Sequence, residues 1–201
     1  MKPHHSIDQT VAYYDQHAVA YSSATVGLDV SRLYSEFLPL IPIGGRILDA
    51  GCGSGRDSVY FKQRGYLVEA FDASIELVAI ASQALREPVQ LMTFGEVEAS
   101  AEFDGVWACA SLLHVSMREL TDVLNRLTKA LKLGAPMYMS FKIGLEEVLR
   151  DGRLFNDFDE PKLRSLLAHH PRLKEGKLWR TPDVRLGLQH DQWLNAIVMR
   201  T

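Results

Sequence analysis

Over residues 6–38 the apolar and aromatic positions recur every three or four residues: Tyr13, His17 and Tyr21 with Val11 and Ala18, then Leu33, Phe37 and Leu38. That period is helical, and Pro39 and Pro42 stop it. From residue 46 onward short apolar runs alternate with amphipathic stretches. Runs over 46–50, 67–71, 89–94, 103–110 and 136–142 predict strands, and the segments 56–64 and 74–85 predict helices, the first ended by Gly65. The best-defined helix follows Ser116, which with Glu119 makes an S-x-x-E capping box. Leu120, Val123, Leu124, Leu127 and Leu131 share one face of that helix, and Gly134 is placed to end it. Residues 143–160 are polar and aperiodic, which predicts a long loop or lid with a little helix. A further helix opens at Asp159-Glu160-Pro161 and ends near His169-His170-Pro171, and the tail predicts strands at 177–180 and 193–200. Strand–helix alternation over 46–142 calls for a doubly wound, mostly parallel α/β sheet, with the two terminal strands as a hairpin on one edge.

Composition narrows this picture without redirecting it. The chain has 201 residues, 47% of them hydrophobic and 23% charged, which fits a single domain over 1–201. Its 22 basic and 25 acidic side chains leave a net charge of −3, too little positive charge for a dedicated nucleic-acid binder. The longest apolar stretch, 106–113, is interrupted by Ser111 and falls far short of the roughly 18 residues of a membrane span. Polar sequence follows Met1-Lys2-Pro3-His4-His5, so no secretory signal is expected and a cytoplasmic address follows. Cys52 and Cys109 are too few and too far apart for a disulfide framework or a zinc site. They read as reduced thiols, His169-His170 reads as exposed, and no metal is expected.

The chemistry is concentrated where the first predicted strand runs into a glycine-rich turn and then a helix: Asp49-Ala50-Gly51-Cys52-Gly53-Ser54-Gly55-Arg56-Asp57. Glycines spaced G-x-G-x-G let the backbone turn sharply and let a ligand approach it, while the helix start offers unpaired N–H groups to an anionic ligand group. A dinucleotide fingerprint would require a third glycine at position 56, where Arg56 stands, and Asp49 would repel a pyrophosphate. Some twenty residues on, Phe71-Asp72-Ala73-Ser74 ends the second strand with a carboxylate suited to accept both hydroxyls of a ribose.

These residues resemble the class I S-adenosylmethionine-dependent methyltransferases, whose two chief cofactor motifs are a D-x-G-x-G-x-G turn and an acidic residue ending strand two. The resemblance runs from Tyr14-Asp15-x-x-Ala18-x-x-Tyr21 to the last strand and implies a seven-stranded sheet of order 3-2-1-4-5-7-6, strand 7 antiparallel, with residues 1–40 as a helical cap. Trp107-Ala-Cys-Ala-Ser111-Leu-Leu-His114-Val115, Ser140-Phe141-Lys142-x-Gly144, Gly152-Arg153 and Trp193-Leu-Asn195 look like small bacterial methyltransferases grouped with tellurite-resistance proteins. The resemblance implies that Gly51, Cys52, Gly53 and Gly55 line the methionine part of the cofactor, with Asp49 on its amino group. Asp72 would hold the ribose, Ala73 or Ser74 would border the adenine, Glu96 would lie near the adenine amino group, and Ala110 and Ser111 would flank the methionine chain. Tyr14 and Tyr21 would close over the site, and His114 would face a small-molecule methyl acceptor.

Other readings stay open at this point. His114 caps the following helix as readily as it serves catalysis. Glu96 reads more simply as a solvated loop residue, and the tyrosines as helix packing. Lys142 and Arg153 would either draw an anionic acceptor or remain solvated loop charges. A protein that holds S-adenosylmethionine or S-adenosylhomocysteine without catalysis, and an NAD-type oxidoreductase, are the alternative functions. The acceptor atom and the oligomeric state are not specified by the sequence.

Overall fold

The computed structural model describes residues 5–185, 187–188 and 190–201, with side chains from residue 9 onward. In chain order the elements are α1 (His5–Thr25), α2 (Ser31–Phe37), β1 (Arg46–Ala50), α3 (Arg56–Gln63), β2 (Leu67–Asp72), α4 (Ile75–Leu85), β3 (Gln90–Leu91) and β4 (Gly105–Ala108). They continue as α5 (Met117–Ala130), β5 (Pro136–Lys142), β6 (Glu147–Arg150), β7 (Arg153–Asn156), α6 (Glu160–Ala168), β8 (Leu173–Pro182) and β9 (Gln192–Arg200). Seven strands form one sheet in the order β3-β2-β1-β4-β5-β9-β8, while β6 and β7 pair separately. With that small pair set apart, the order is the 3-2-1-4-5-7-6 expected, and β9 runs antiparallel to both neighbours.

Alternation along the central strands divides the core between the two faces. Leu48 and Ala50 of β1, Val106 and Ala108 of β4 and Met137, Met139 and Phe141 of β5 pack with the apolar stripe of α5 and with α6. Ile47, Trp107 and Tyr138 point the other way and pack with Tyr34, Phe37 and Phe61, Trp107 stacking on Tyr138 at 4.0 Å. A strand buried on both faces reads as a continuous apolar run, which is why these strands were visible in the sequence. No described helix is long and apolar enough to cross a membrane.

Several expectations change. Strand 89–94 shortens to Gln90–Leu91, because the chain turns at Thr93 into one 3₁₀ turn over Phe94–Glu96. The fourth strand contracts to Gly105–Ala108. Residues 143–160 hold the β6–β7 hairpin instead of a little helix. The Ser116 hydroxyl donates to the Glu119 carboxylate at 2.6 Å and makes no cap to the backbone, so the box motif forms a side-chain pair. α5 ends at Ala130, where Leu131 turns extended to bridge Phe103, and Gly134 at φ 77° instead shapes the turn into β5. His170, expected exposed, is buried, with Nδ1 3.1 Å from Asn125 Oδ1.

Candidate functional site

A cavity of about 1310 Å³ opens at the carboxyl ends of the parallel strands. It sits where β1 is flanked by β2 on one side and β4 on the other, the point at which a doubly wound sheet reverses direction and leaves a crevice. Gly51, Cys52 and Gly53 line it, with Asp72 and Ala73 beyond β2 and Ala110 and Ser111 beyond β4.

The turn is fixed by its backbone. The N–H groups of Gly51 and Cys52 both donate to the Phe71 carbonyl, at 3.0 and 2.9 Å. Gly51 has φ 74° and a Cβ there would come within 2.6 Å of Ser111 Cβ; Gly53 has φ 56°, and a Cβ there would stand 3.4 Å from the Tyr21 ring. Glycine is thus required at Gly51 both by the left-handed backbone and by the closeness of Ser111, and at Gly53 by the backbone. Gly55 has a different task. It starts α3, and a Cβ there would stand only 3.1 Å from Ala81 Cβ of α4, so its absence lets the two helices pack, and it does not line the cavity.

Asp72 ties the turn to β2. One carboxylate oxygen accepts from Gly53 N–H at 2.8 Å and the other from Ser74 N–H at 2.9 Å. Burial raises its pKa, and these two N–H donors oppose the rise. Ser74 caps α4 through its own oxygen and donates its hydroxyl to Asp15 at 2.6 Å, which fastens α1 over this end of the site.

Asp49 lies elsewhere. It points to the same sheet face as Ile47, toward α3, where Ser58 donates to it at 2.5 Å, and it is not among the cavity-lining residues. Burial, together with the negative charge of Asp57, pushes its pKa well above the carboxylate range. Asp57 does line the cavity, and although burial works against its charge, Arg56, Tyr34 at 2.6 Å and Trp107 Nε1 at 2.7 Å hold it ionised. Of two adjacent buried carboxylates, the one with more donors keeps the charge. Glu96 is also outside the cavity. Its exposed carboxylate accepts from Thr93 N–H at 2.8 Å and Thr93 Oγ1 at 2.7 Å, capping its own turn, while Thr93, Phe94 and Gly95 line the cavity.

The opposite end of the cavity is assembled from distant segments. Thr10, Tyr14, Tyr21 and Thr25 lie along one face of α1 and all line it. Tyr14 Oη is 2.8 Å from His114 Nε2, and His114 Nδ1 is 2.6 Å from the Leu154 carbonyl in β7. A carbonyl only accepts, so Nδ1 carries the proton and Nε2 accepts from the tyrosine hydroxyl. Burial pushes the His114 pKa down to about 4, the Leu154 carbonyl opposes this and Arg153 adds to it. The imidazole is therefore neutral near pH 7, and it does not cap α5.

The predicted basic pair separates. Lys142 is buried, bridging Asp183 at 2.7 Å and Asp191 at 3.1 Å, so its charge is spent on tying β5 to the loop before β9. Arg153 lies over the rings of Tyr13, at 4.2 Å, and Phe155, at 5.2 Å, and lines the cavity. Asp15, Asp57 and Phe155 were missed as site residues. The four- and seven-residue spacing of Thr10, Tyr14, Tyr21 and Thr25 is the signal that α1 offers one face to the cavity.

With this geometry in view, residues 47–134 match the family model of a methyltransferase domain. That match covers less than half of the chain, and the fold around it is Rossmann-like. The chain is 30% identical over 105 residues to an uncharacterized methyltransferase of Staphylococcus carnosus, covering 51% of each chain. It is 36% identical over 91 residues to a malonyl-[acyl-carrier protein] O-methyltransferase of Enterobacter lignolyticus, covering 44% of this chain and 36% of the relative. It spans about half or less of the length of these curated relatives. Among solved structures, a 1,6-didemethyltoxoflavin-N1-methyltransferase of Burkholderia thailandensis, with 1,6-didemethyltoxoflavin and S-adenosylhomocysteine bound, superimposes with a TM-score of 0.79. That likeness covers 100% of this chain and 91% of the other at 21% identity, and it is one of fold.

Proposed function

We propose that the protein is an S-adenosylmethionine-dependent methyltransferase acting on a small molecule. The observation that carries this reading is the convergence of Gly51, Gly53, Asp72, Ala110 and Ser111 on one cavity at the switch point of the sheet. The residues suit the cofactor. The turn presents backbone without side chains, and Asp72 keeps lone pairs for two ribose hydroxyls beyond the N–H groups it already accepts from. Asp57, ionised and lining the cavity, is better placed than Asp49 to attract the cofactor's ammonium group. Tyr21 covers the methionine end, Ala73 borders the adenine, and Glu96 acts indirectly by shaping the Thr93–Gly95 wall.

Bound S-adenosylmethionine supplies an electrophilic methyl group. The chain's own residues hold the acceptor in line with it, exclude water and dispose of a proton. Because Nε2 of His114 is engaged by Tyr14, the proton of a protic acceptor passes to the Tyr14 oxygen while the tyrosine proton moves to Nε2, and the Leu154 carbonyl steadies the imidazolium that results. The narrower likeness to methyltransferases grouped with tellurite-resistance proteins rests on the sequence motifs and stays a proposal with the rest.

Calorimetry with S-adenosylhomocysteine and with NADH tests the cofactor, and transfer of a labelled methyl group tests catalysis. Binding of S-adenosylhomocysteine but not NADH, with label transferred to a small acceptor, is expected. Preference for NADH would overturn the reading. Binding with no transfer to any acceptor class would turn it into that of a cofactor-holding protein.

A further inference from the structure

The cations at the acceptor end of the cavity are not equivalent. Lys142 bridges Asp183 and Asp191, Arg185 donates two hydrogen bonds to Asp183, and Arg150 pairs with Asp157. Each is matched by a carboxylate at hydrogen-bond distance. Arg153 meets Asp151 at 3.8 Å, beyond hydrogen-bond reach, and the Asp151 side chain is 83% exposed, so that charge is largely given to water. The Arg153 side chain is itself 18% exposed, and its Nε is buried with no hydrogen-bond partner among the described residues.

A guanidinium without a carboxylate in such surroundings is costly, because burial removes water that the Tyr14 hydroxyl, its hydrogen-bond partner, replaces only in part, leaving Nε unpartnered. The rings of Tyr13 and Phe155 recover part of that cost through their π faces, but they do not accept N–H groups in the plane of the guanidinium. The plane of an arginine matches a carboxylate through two parallel N–H donors. Around it the cavity is walled by Tyr14, His114 and Phe155, with His114 and Phe155 edge to face at 5.0 Å. Aromatic walls favour contact with a flat ring, and an acidic group on it would supply what Arg153 lacks.

We propose that Arg153 anchors a carboxylate on the methyl acceptor, which is a small planar acid whose nucleophilic atom is turned toward the Tyr14–His114 pair. This rests on the methyltransferase reading above but is tested separately from it. The anchor is a specificity device, since a neutral isostere of the acid would leave the guanidinium without a carboxylate partner.

The experiment compares binding of 4-hydroxybenzoate and 4-hydroxybenzamide to the wild type, to Arg153→Gln and to Arg153→Lys, by protein-fluorescence titration with and without saturating S-adenosylhomocysteine. Far-ultraviolet circular dichroism and thermal melts check that each variant is folded. The wild type is expected to prefer the acid by at least tenfold. Arg153→Gln should abolish the preference and Arg153→Lys should retain part of it, with S-adenosylhomocysteine affinity unchanged in both. Equal binding of acid and amide by the wild type, or an undiminished preference in Arg153→Gln, would overturn the anchor. Failure of S-adenosylhomocysteine to bind the wild type would instead overturn the cofactor reading, while the titrations without it still decide the anchor.

Discussion

The two ends of the cavity are built in opposite ways. At the glycine-turn end, the proposed cofactor site, the groups lie within one stretch of chain: Gly51, Gly53 and Asp72 are joined by two adjacent parallel strands and one helix, and Gly53 N–H reaches Asp72 across only nineteen residues. At the acceptor end, Tyr14 meets His114 across 100 residues and Leu154 N–H donates to Thr10 across 144. The first end is a local motif held by a buried sheet, so it is stiff and reads directly from sequence. The second is a meeting of α1, the β6–β7 hairpin and the turn after β4, and it exists only when all three have docked. Contacts of high sequence separation cost more chain entropy to form, so this end is the easier one to open and to vary.

The sharpest way to break the comparison is at the glycine turn. Gly53→Val places a β-branched side chain at φ 56° against Tyr21, and cofactor-product binding should vanish while the rest of the fold persists. At a hundredfold excess of S-adenosylhomocysteine over Kd the wild type gains about 2.7 kcal/mol of stability by mass action and the variant should gain none; equal thermal shifts would make the turn merely structural.

Next in size is Tyr14→Phe, which removes the hydroxyl bonded to His114 and should cost about 10² in kcat with a protic acceptor while leaving S-adenosylhomocysteine affinity nearly intact. Because burial holds His114 near a pKa of about 4, wild-type kcat/KM should show no inflection near 6.5 from this group. An inflection there, lost in His114→Gln, would mean that burial does not control the imidazole. The same depression sets a sign for stability. The unfolded chain takes up a proton at about 6.5 and the folded one does so only near 4, so the contribution of His114 is complete above about 6.5 and is lost as pH falls toward 4. Denaturant titrations of wild type and His114→Gln across that window check it.

Asp72→Ala should weaken S-adenosylhomocysteine binding by at least tenfold, since each charge-assisted hydrogen bond is worth about 1.5–3 kcal/mol, and calorimetry on the folded variant reads it directly. At the small end, Glu96→Gln should change that affinity less than about twofold, because the carboxylate is exposed and caps Thr93 outside the cavity. A larger loss would restore Glu96 as a direct cofactor contact.

What was readable in the sequence follows the same division. The central strands, the glycine turn and the carboxylate at the end of β2 were all visible, because central parallel strands are continuous apolar runs and the turn residues are dictated by backbone sterics, whereas the order of strands was implied by the family resemblance. Where side chains go beyond the turn was less so. Asp49 shares the motif, yet strand alternation directs it under α3 to Ser58, and Asp57 takes the cavity instead. Glu96 has the right residue type at a plausible distance, but its nearest donors are local ones on Thr93. Lys142 and Arg153 look alike as two basic residues near one sheet edge; Asp183 and Asp191 neutralise the first, and among the described residues no carboxylate within hydrogen-bond reach matches the second. The sequence by itself determined what depends on neighbouring residues: the period of each element, the turn that only glycine can make, the carboxylate in register with it. The tertiary structure decided charge and protonation, the neutral imidazole of His114 and the unspent cation of Arg153, because burial and partner choice come from segments far apart in the chain.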